Sequence, residues 1–232
     1  MKKIFIVCIL LVATSSVFAQ PKIQINETSF NFGKCPQHAE VSHTFWLKSV
    51  GTENLVITEV VPGCGCTKAP LKDSVLAPGD STSLEIIFST KSYRGFVAKK
   101  PYIVTNISEE KIYLRIDAEL VPEPETIGPV SFEPYKVDVS QFTEAPRRKA
   151  KFHLVNKSGR DYDIKLLDVS SKPFEVKLPN KIKAGETVEG MLTVNEDMVD
   201  SEFDSSITIE INDDFSSRIS LPIKRIIRII KK

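Results

Sequence analysis

The chain has 232 residues, enough for one large domain or two ordinary ones that each bury a core. Its 31 Lys and Arg against 30 Asp and Glu leave a formal net charge of +1, so the balance gives no support to a nucleic-acid-binding role. A hydrophobic share of 41% with 26% charged residues is that of a soluble globular protein.

Lys2 and Lys3 precede an apolar run over 4–13, and Val17-Phe18-Ala19 offers a small-x-small cleavage site before Gln20. This is the pattern of a secretory signal peptide over 1–19. The run is roughly half the ~20 residues that a spanning helix needs, and Thr14-Ser15-Ser16 ends it. A lipid anchor would need a cysteine at the cleavage point, whereas Cys8 lies within the run. The expectation is an exported, soluble chain in the periplasm or outside the cell, with no later segment able to span a bilayer.

Beyond the leader, apolar and polar residues alternate in short segments punctuated by Gly, Pro, Asn and Asp, which predicts half-buried strands joined by turns. A first domain over 20–121 holds predicted strands at 23–31, 41–50, 55–61, 83–90, 97–105 and 112–120. Pro122, Pro124 and Pro129 then break the pattern, and 122–129 reads as a stiff linker that holds two domains apart or packs them at a modest angle. A second domain over 130–232 holds predicted strands at 130–139, 148–156, 162–169, 187–194, 205–212 and from 217 onward. The fold class is all-β, two tandem immunoglobulin-like antiparallel sandwiches.

The halves repeat one another. Phe45-Trp46-Leu47 with Gly51 matches Phe152-His153-Leu154 with Gly159, and Ala77-Pro78-Gly79-Asp80-Ser81 matches Lys183-Ala184-Gly185-Glu186-Thr187. The second half reads as a diverged copy of the first.

Phe32-Gly33, His43-x-Phe45, Gly51, Leu55-x-Ile57, Val60, Cys64-Gly65-Cys66-Thr67, Pro78-Gly79 and Val104-Thr105-Asn106 together resemble the bacterial family called domain of unknown function 1573. The resemblance implies an immunoglobulin-like sandwich, related in shape to modules of sperm-protein, cilia-associated and pilus-chaperone proteins, and frequent export in Bacteroidota. It implies no particular reaction. Two departures stand out: Ser170-Ser171-Lys172-Pro173 replaces the cysteine loop in the second half, and Val50 precedes Gly51 where many relatives carry Asn.

Cys35, Cys64 and Cys66 survive removal of the leader, an odd number for an oxidising compartment. Sandwich topology places Cys35 and the cysteine loop at one end, so a bridge from Cys35 to Cys64 or Cys66 is one reading, with the third thiol left over. A second is redox cycling between Cys64 and Cys66. A third is a thiophilic metal, zinc or copper, held by Cys35, His38, Cys64 and Cys66.

His43 is in phase with Val41, Phe45 and Leu47 and should face inward, whereas His153 should face solvent. No phosphate loop, nucleophile elbow or zinc-protease motif occurs. The basic, apolar tail over 222–232 reads as a final strand with a fraying, lysine-guarded edge, or else as an arm for a partner's sheet or an anionic membrane surface. The reading is a non-enzymatic binding or assembly module that contacts other exported or envelope proteins through sheet edges and end loops. The alternative is a thiol-redox or metal-binding protein built on the Cys64-Gly65-Cys66 loop.

Overall fold

Along β7 (Ser81–Ser89) every second side chain is buried, Thr82, Leu84, Ile86 and Phe88, while those between are partly or fully exposed; period-two alternation of this kind gives a strand one core face. A computed structural model describes residues 19–122, 128–168 and 172–229 of the chain. The signal-peptide reading and the middle of the linker therefore fall outside the described residues.

The other strands of the first half are β1 (Ile23–Ile25), β2 (Ser29–Pro36), β3 (Glu40–Ser49), β4 (Leu55–Val61), β5 (Thr67–Lys68), β6 (Val75–Leu76), β8 (Gly95–Lys99), β9 (Tyr102–Thr105), β10 (Ser108–Tyr113) and β11 (Arg115–Val121). The second half holds β12 (Val130–Glu133), β13 (Val137–Asp138), β14 (Lys149–Asn156), β15 (Tyr162–Leu167), β16 (Phe174–Lys177), β17 (Lys181–Ile182), β18 (Thr187–Val194), β19 (Phe203–Ile211) and β20 (Arg218–Arg225). A 3₁₀ turn, Glu196–Met198, precedes β19. The architecture is all-β, as the alternation predicts.

One sheet runs β1-β3-β7-β5 and its counterpart runs β12-β14-β18-β16, the same order in each half. Phe32, Phe45, Ile86, Phe88 and Ile103 fill the first core, and Phe152, Leu154, Leu192, Ile207 and Leu221 fill the second.

Several predicted strands are split, for local reasons. The predicted 23–31 strand breaks because the Asn26 side chain accepts from Trp46 N at 2.8 Å, capping β1 before the chain crosses to the other sheet as β2. The predicted 97–105 strand breaks at Lys100-Pro101, where proline supplies no N–H. The short strands β5, β6, β16 and β17 were not predicted, being too brief for alternation to register.

The halves are not held apart by a spacer. An eight-stranded sheet runs β17-β15-β19-β20-β2-β11-β8, with β13 also on β20, and so crosses from one sandwich into the other. β2 pairs in parallel with β11 of its own half and meets β20 at Lys34↔Ile219. Ser220 Oγ donates to Phe32 O at 2.7 Å, and Arg218 Nη1 donates to Asn31 O at 3.3 Å. Gly33 makes the approach possible: its φ is +65°, and a Cβ there would collide with the Arg218 backbone.

The tail also differs from expectation. Residues 222–225 belong to β20, an interior strand and not a guarded edge. Arg225, although only 1% exposed, donates to the carbonyls of Val139, Arg147 and Val199 and to Gln141 Oε1, at 2.6–3.0 Å. The chain beyond is tied down through Ile226 N to Ser140 Oγ and Arg228 N to Gln141 O. Residues 230–232 lie outside the described residues.

Candidate functional site

After β4 the chain turns at Gly63, whose φ is +83°, and passes through the cysteine loop into β5. Cys64 and Cys66 are bonded to each other, with Cα atoms 5.3 Å apart. The backbone around them is pinned independently: Thr67 N donates to Cys64 O at 3.2 Å and Ser89 N donates to Cys66 O at 2.8 Å. Thr67 Oγ1 lies 3.2 Å from Cys64 Sγ and 3.9 Å from Cys66 Sγ. Cys64 is half-buried and Cys66 is buried against the core. Gly65 is exposed, and a Cβ on it would meet nothing within 4 Å.

Cys35 is the unpaired thiol, so the expected bridge from Cys35 to the loop is not formed. It is completely buried near the end of β2, its Sγ 3.7 Å from Gly33 O. Burial pushes this thiol up to about 12, against a smaller opposing effect of the Ser220 hydrogen bond. The bond that does form closes only three residues, Cys64 to Cys66. In the chain-entropy relation that stabilises folding by about 1.6 kcal/mol, against about 3.6 for the loop of about 30 residues that a Cys35–Cys64 bridge would close. It is a weak staple.

The proposed metal set is not assembled either. Cys64 and Cys66 hold each other, Cys35 is a protonated core thiol, and His38 sits in the β2–β3 turn at φ +52°. Zinc or copper would require thiolates converging on one point. Among the described residues no group of three or more His, Cys, Asp and Glu is placed to hold a metal ion.

His43 and Phe45 of β3 are buried, and His43 opens onto a polar cluster at the seam between the halves. Its ring stacks on Phe30 at 3.7 Å, and its Nε2 lies 3.1 Å from Glu27 Oε1. Its Nδ1 is 2.8 Å from Asp168 Oδ2, near enough for an ion pair although not in line for a full hydrogen bond. Lys172 Nζ lies 3.1 Å from the same Asp168 oxygen and donates to Ser42 O at 2.9 Å. Burial by itself would raise the Asp168 carboxyl, but His43 and Lys172 more than offset it and hold it below its ordinary range. Sequence reasoning missed Asp168 and Lys172, because the groups they meet in the other half, Thr44 and Ser42 among them, lie more than a hundred residues away.

The remaining motif residues shape turns. Gly51 abuts the Gln20 and Lys22 backbone, where a Cβ would collide. The Pro78-Gly79 turn, at Gly79 φ +93°, brings Gly79 N to Ser49 O at 2.9 Å. Asn106 Oδ1 accepts from Val56 N at 2.9 Å, tying the β9–β10 turn to β4. His153 is exposed.

A second feature was invisible in the sequence. Phe96 on β8 and Phe215 in the β19–β20 turn are 85% and 87% exposed, the most exposed large apolar side chains among the described residues. They line one groove of about 500 Å³ that spans both halves, together with Asn31, Lys34, Glu119 and Arg218. The Asp213 carboxylate, accepting from Phe215 N at 3.2 Å and Ser217 N at 2.7 Å, fixes the turn that carries Phe215. Among the described residues β8 is an edge strand, with β11 on one side and no strand on the other.

No helix among the described residues is long and apolar enough to cross a membrane. No curated protein matches the sequence. Among solved structures, a protein of unknown function from Porphyromonas gingivalis W83 is similar at 12% identity and a TM-score of 0.34, over 87% of this chain and 99% of that one. The ASH/PapD-like domain 7 of human CEP192 is similar at 12% identity and a TM-score of 0.38, over 51% of this chain and 99% of that one. WR4, a C. elegans MSP family member, is similar at 8% identity and a TM-score of 0.33, over 42% of this chain and 98% of that one. A family model described as "Protein of unknown function (DUF1573)" matches residues 23–120, nearly the whole first half.

Proposed function

We propose that the chain is an exported, non-enzymatic binding or assembly module that acts in the periplasm or outside the cell and contacts other envelope proteins. The observation that carries this reading is the pair Phe96 and Phe215, both almost wholly exposed and both lining one groove. Large apolar side chains this exposed, lining one groove among polar groups, mark interaction sites in soluble proteins. Beside Phe96 the open edge of β8 offers unpaired backbone groups, to which an extended segment of a partner could add as a further strand. The groove draws its lining from both halves, which meet where β2 lies beside β20. The leader sequence and the Cys64–Cys66 bond both support an oxidising compartment.

The test is site-specific photocrosslinking in exporting cells, with the probe at position 96, at position 215 or at Val75, an exposed residue on β6. Discrete adducts with another envelope protein from 96 and 215, and none from 75, are expected. No adduct, or equal labelling from all three positions, would overturn the reading.

A further inference from the structure

We infer that the Cys64–Cys66 pair is a thiol–disulfide exchange site whose co-reactant is an exposed dithiol, or the corresponding disulfide, of another polypeptide. The inference does not depend on the groove, from which the loop's residues are absent.

Four observations carry it. The bond links residues two apart and so joins no distant parts of the fold. The loop backbone is held by Thr67 N to Cys64 O, Ser89 N to Cys66 O and the pairing of β5 with β7, all of which persist with the sulfurs apart. One sulfur-bearing residue is reachable: Cys64 is half-exposed beside an exposed Gly65 with open space above it, whereas Cys66 is only 5% exposed. Cys35 is buried in the core, so it is shielded from mixed disulfides with solvent thiols.

The geometry sets the order of events. A thiolate of the incoming dithiol attacks Cys64 Sγ; the Cys64–Cys66 bond breaks, a bond from the incoming sulfur to Cys64 forms, and the electron pair leaves on Cys66 Sγ. The Thr67 hydroxyl, 3.2 Å from Cys64 Sγ, can donate to that sulfur when it in turn becomes the leaving thiolate. The second thiolate of the dithiol then attacks the mixed disulfide and releases Cys64. The dithiol is oxidised by two electrons, the pair is reduced to two thiols, and the protons lost by the dithiol to water are regained at Cys64 and Cys66. The reverse sequence delivers a disulfide.

The test uses the mature protein equilibrated in graded ratios of reduced to oxidised dithiothreitol, acid-quenched, alkylated and mapped by mass. Circular dichroism is followed in parallel. Reversible conversion of Cys64 and Cys66 together, with Cys35 unlabelled and the fold unchanged, is expected. Single variants then establish direction: the thiol left in Cys66→Ser should react with oxidised glutathione at least tenfold faster than the thiol left in Cys64→Ser. Reduction only in denaturant, loss of the fold on reduction, or equal rates for the two variants would overturn the inference. The crosslinking at positions 96 and 215 is read separately, so either idea can fail alone.

Discussion

His43 and Asp168 come from different sandwiches, yet Nδ1 of one lies 2.8 Å from Oδ2 of the other at a site where both are nearly excluded from solvent. Lys172 joins the same carboxylate oxygen, so Asp168 compensates buried cationic or polar groups on both sides. Removing one partner of such a set leaves the others desolvated and unpaired, which costs more than the set contributes when intact. Asp168→Ala is therefore expected to lower stability by about 3–5 kcal/mol in urea unfolding. A loss under about 1 kcal/mol, the range of exposed pairs, would show that water reaches the cluster.

Acid should weaken the same joint. The Asp168 carboxyl is held below its ordinary 3.8, so the folded state binds its proton less tightly than the unfolded chain. Its contribution is complete above that ordinary value and is lost as pH falls through the depressed one. Glu40 acts with the opposite sign: burial, then hydrogen bonding and repulsion from Asp204, raise its carboxyl above 4.5. Its contribution is present below that value and is lost as pH rises through the raised one. Unfolding of Asp168→Asn against the parent from pH 2 to 7 should show the difference growing from pH 2 towards pH 4, and Glu40→Gln should relieve destabilisation at neutral pH.

Gly33 should resist every substitution. Its φ of +65° and the Arg218 backbone against its missing Cβ mean that alanine must both strain β2 and push β20 away. Gly33→Ala is expected to lose about 2–4 kcal/mol and to raise protease sensitivity between the halves. Unchanged unfolding would mean that β2 shifts without cost.

Phe96 and Phe215 should behave as surface residues in the isolated protein and as contacts in the cell. Phe96→Ser and Phe215→Ser are each expected to alter stability by less than about 0.5 kcal/mol while abolishing crosslinking from the other position. Loss of fold in either variant would assign the rings a structural role.

The cysteines separate in the same way. Iodoacetamide at pH 8 should leave Cys35 of the folded protein unlabelled, because burial puts its thiol at about 12, and should label it fully after denaturation. Cys64→Ser should cost no more than about 1.6 kcal/mol, the closure entropy of so short a loop. A loss of 2–5 kcal/mol would show instead that the bond staples the domain.

The sequence alone determined what is local. Period-two alternation marks β7, β14 and β18 because each buries one face, and the turn glycines announce positive φ. The resemblance carried by Cys64-Gly65-Cys66-Thr67 and its neighbours pointed to the family that residues 23–120 match. The tertiary structure decided what depends on distant partners. It chose Cys66 over Cys35 as the partner of Cys64 and turned the basic tail into the interior strand β20. It brought Asp168 and Lys172 to His43 and Ser42, and placed Phe96 and Phe215 on one groove. The reason is that hydrophobic patterning states which side of a strand is buried but not against what. Pairing across the seam is fixed only when β2 and β20 meet, with Gly33 permitting the contact.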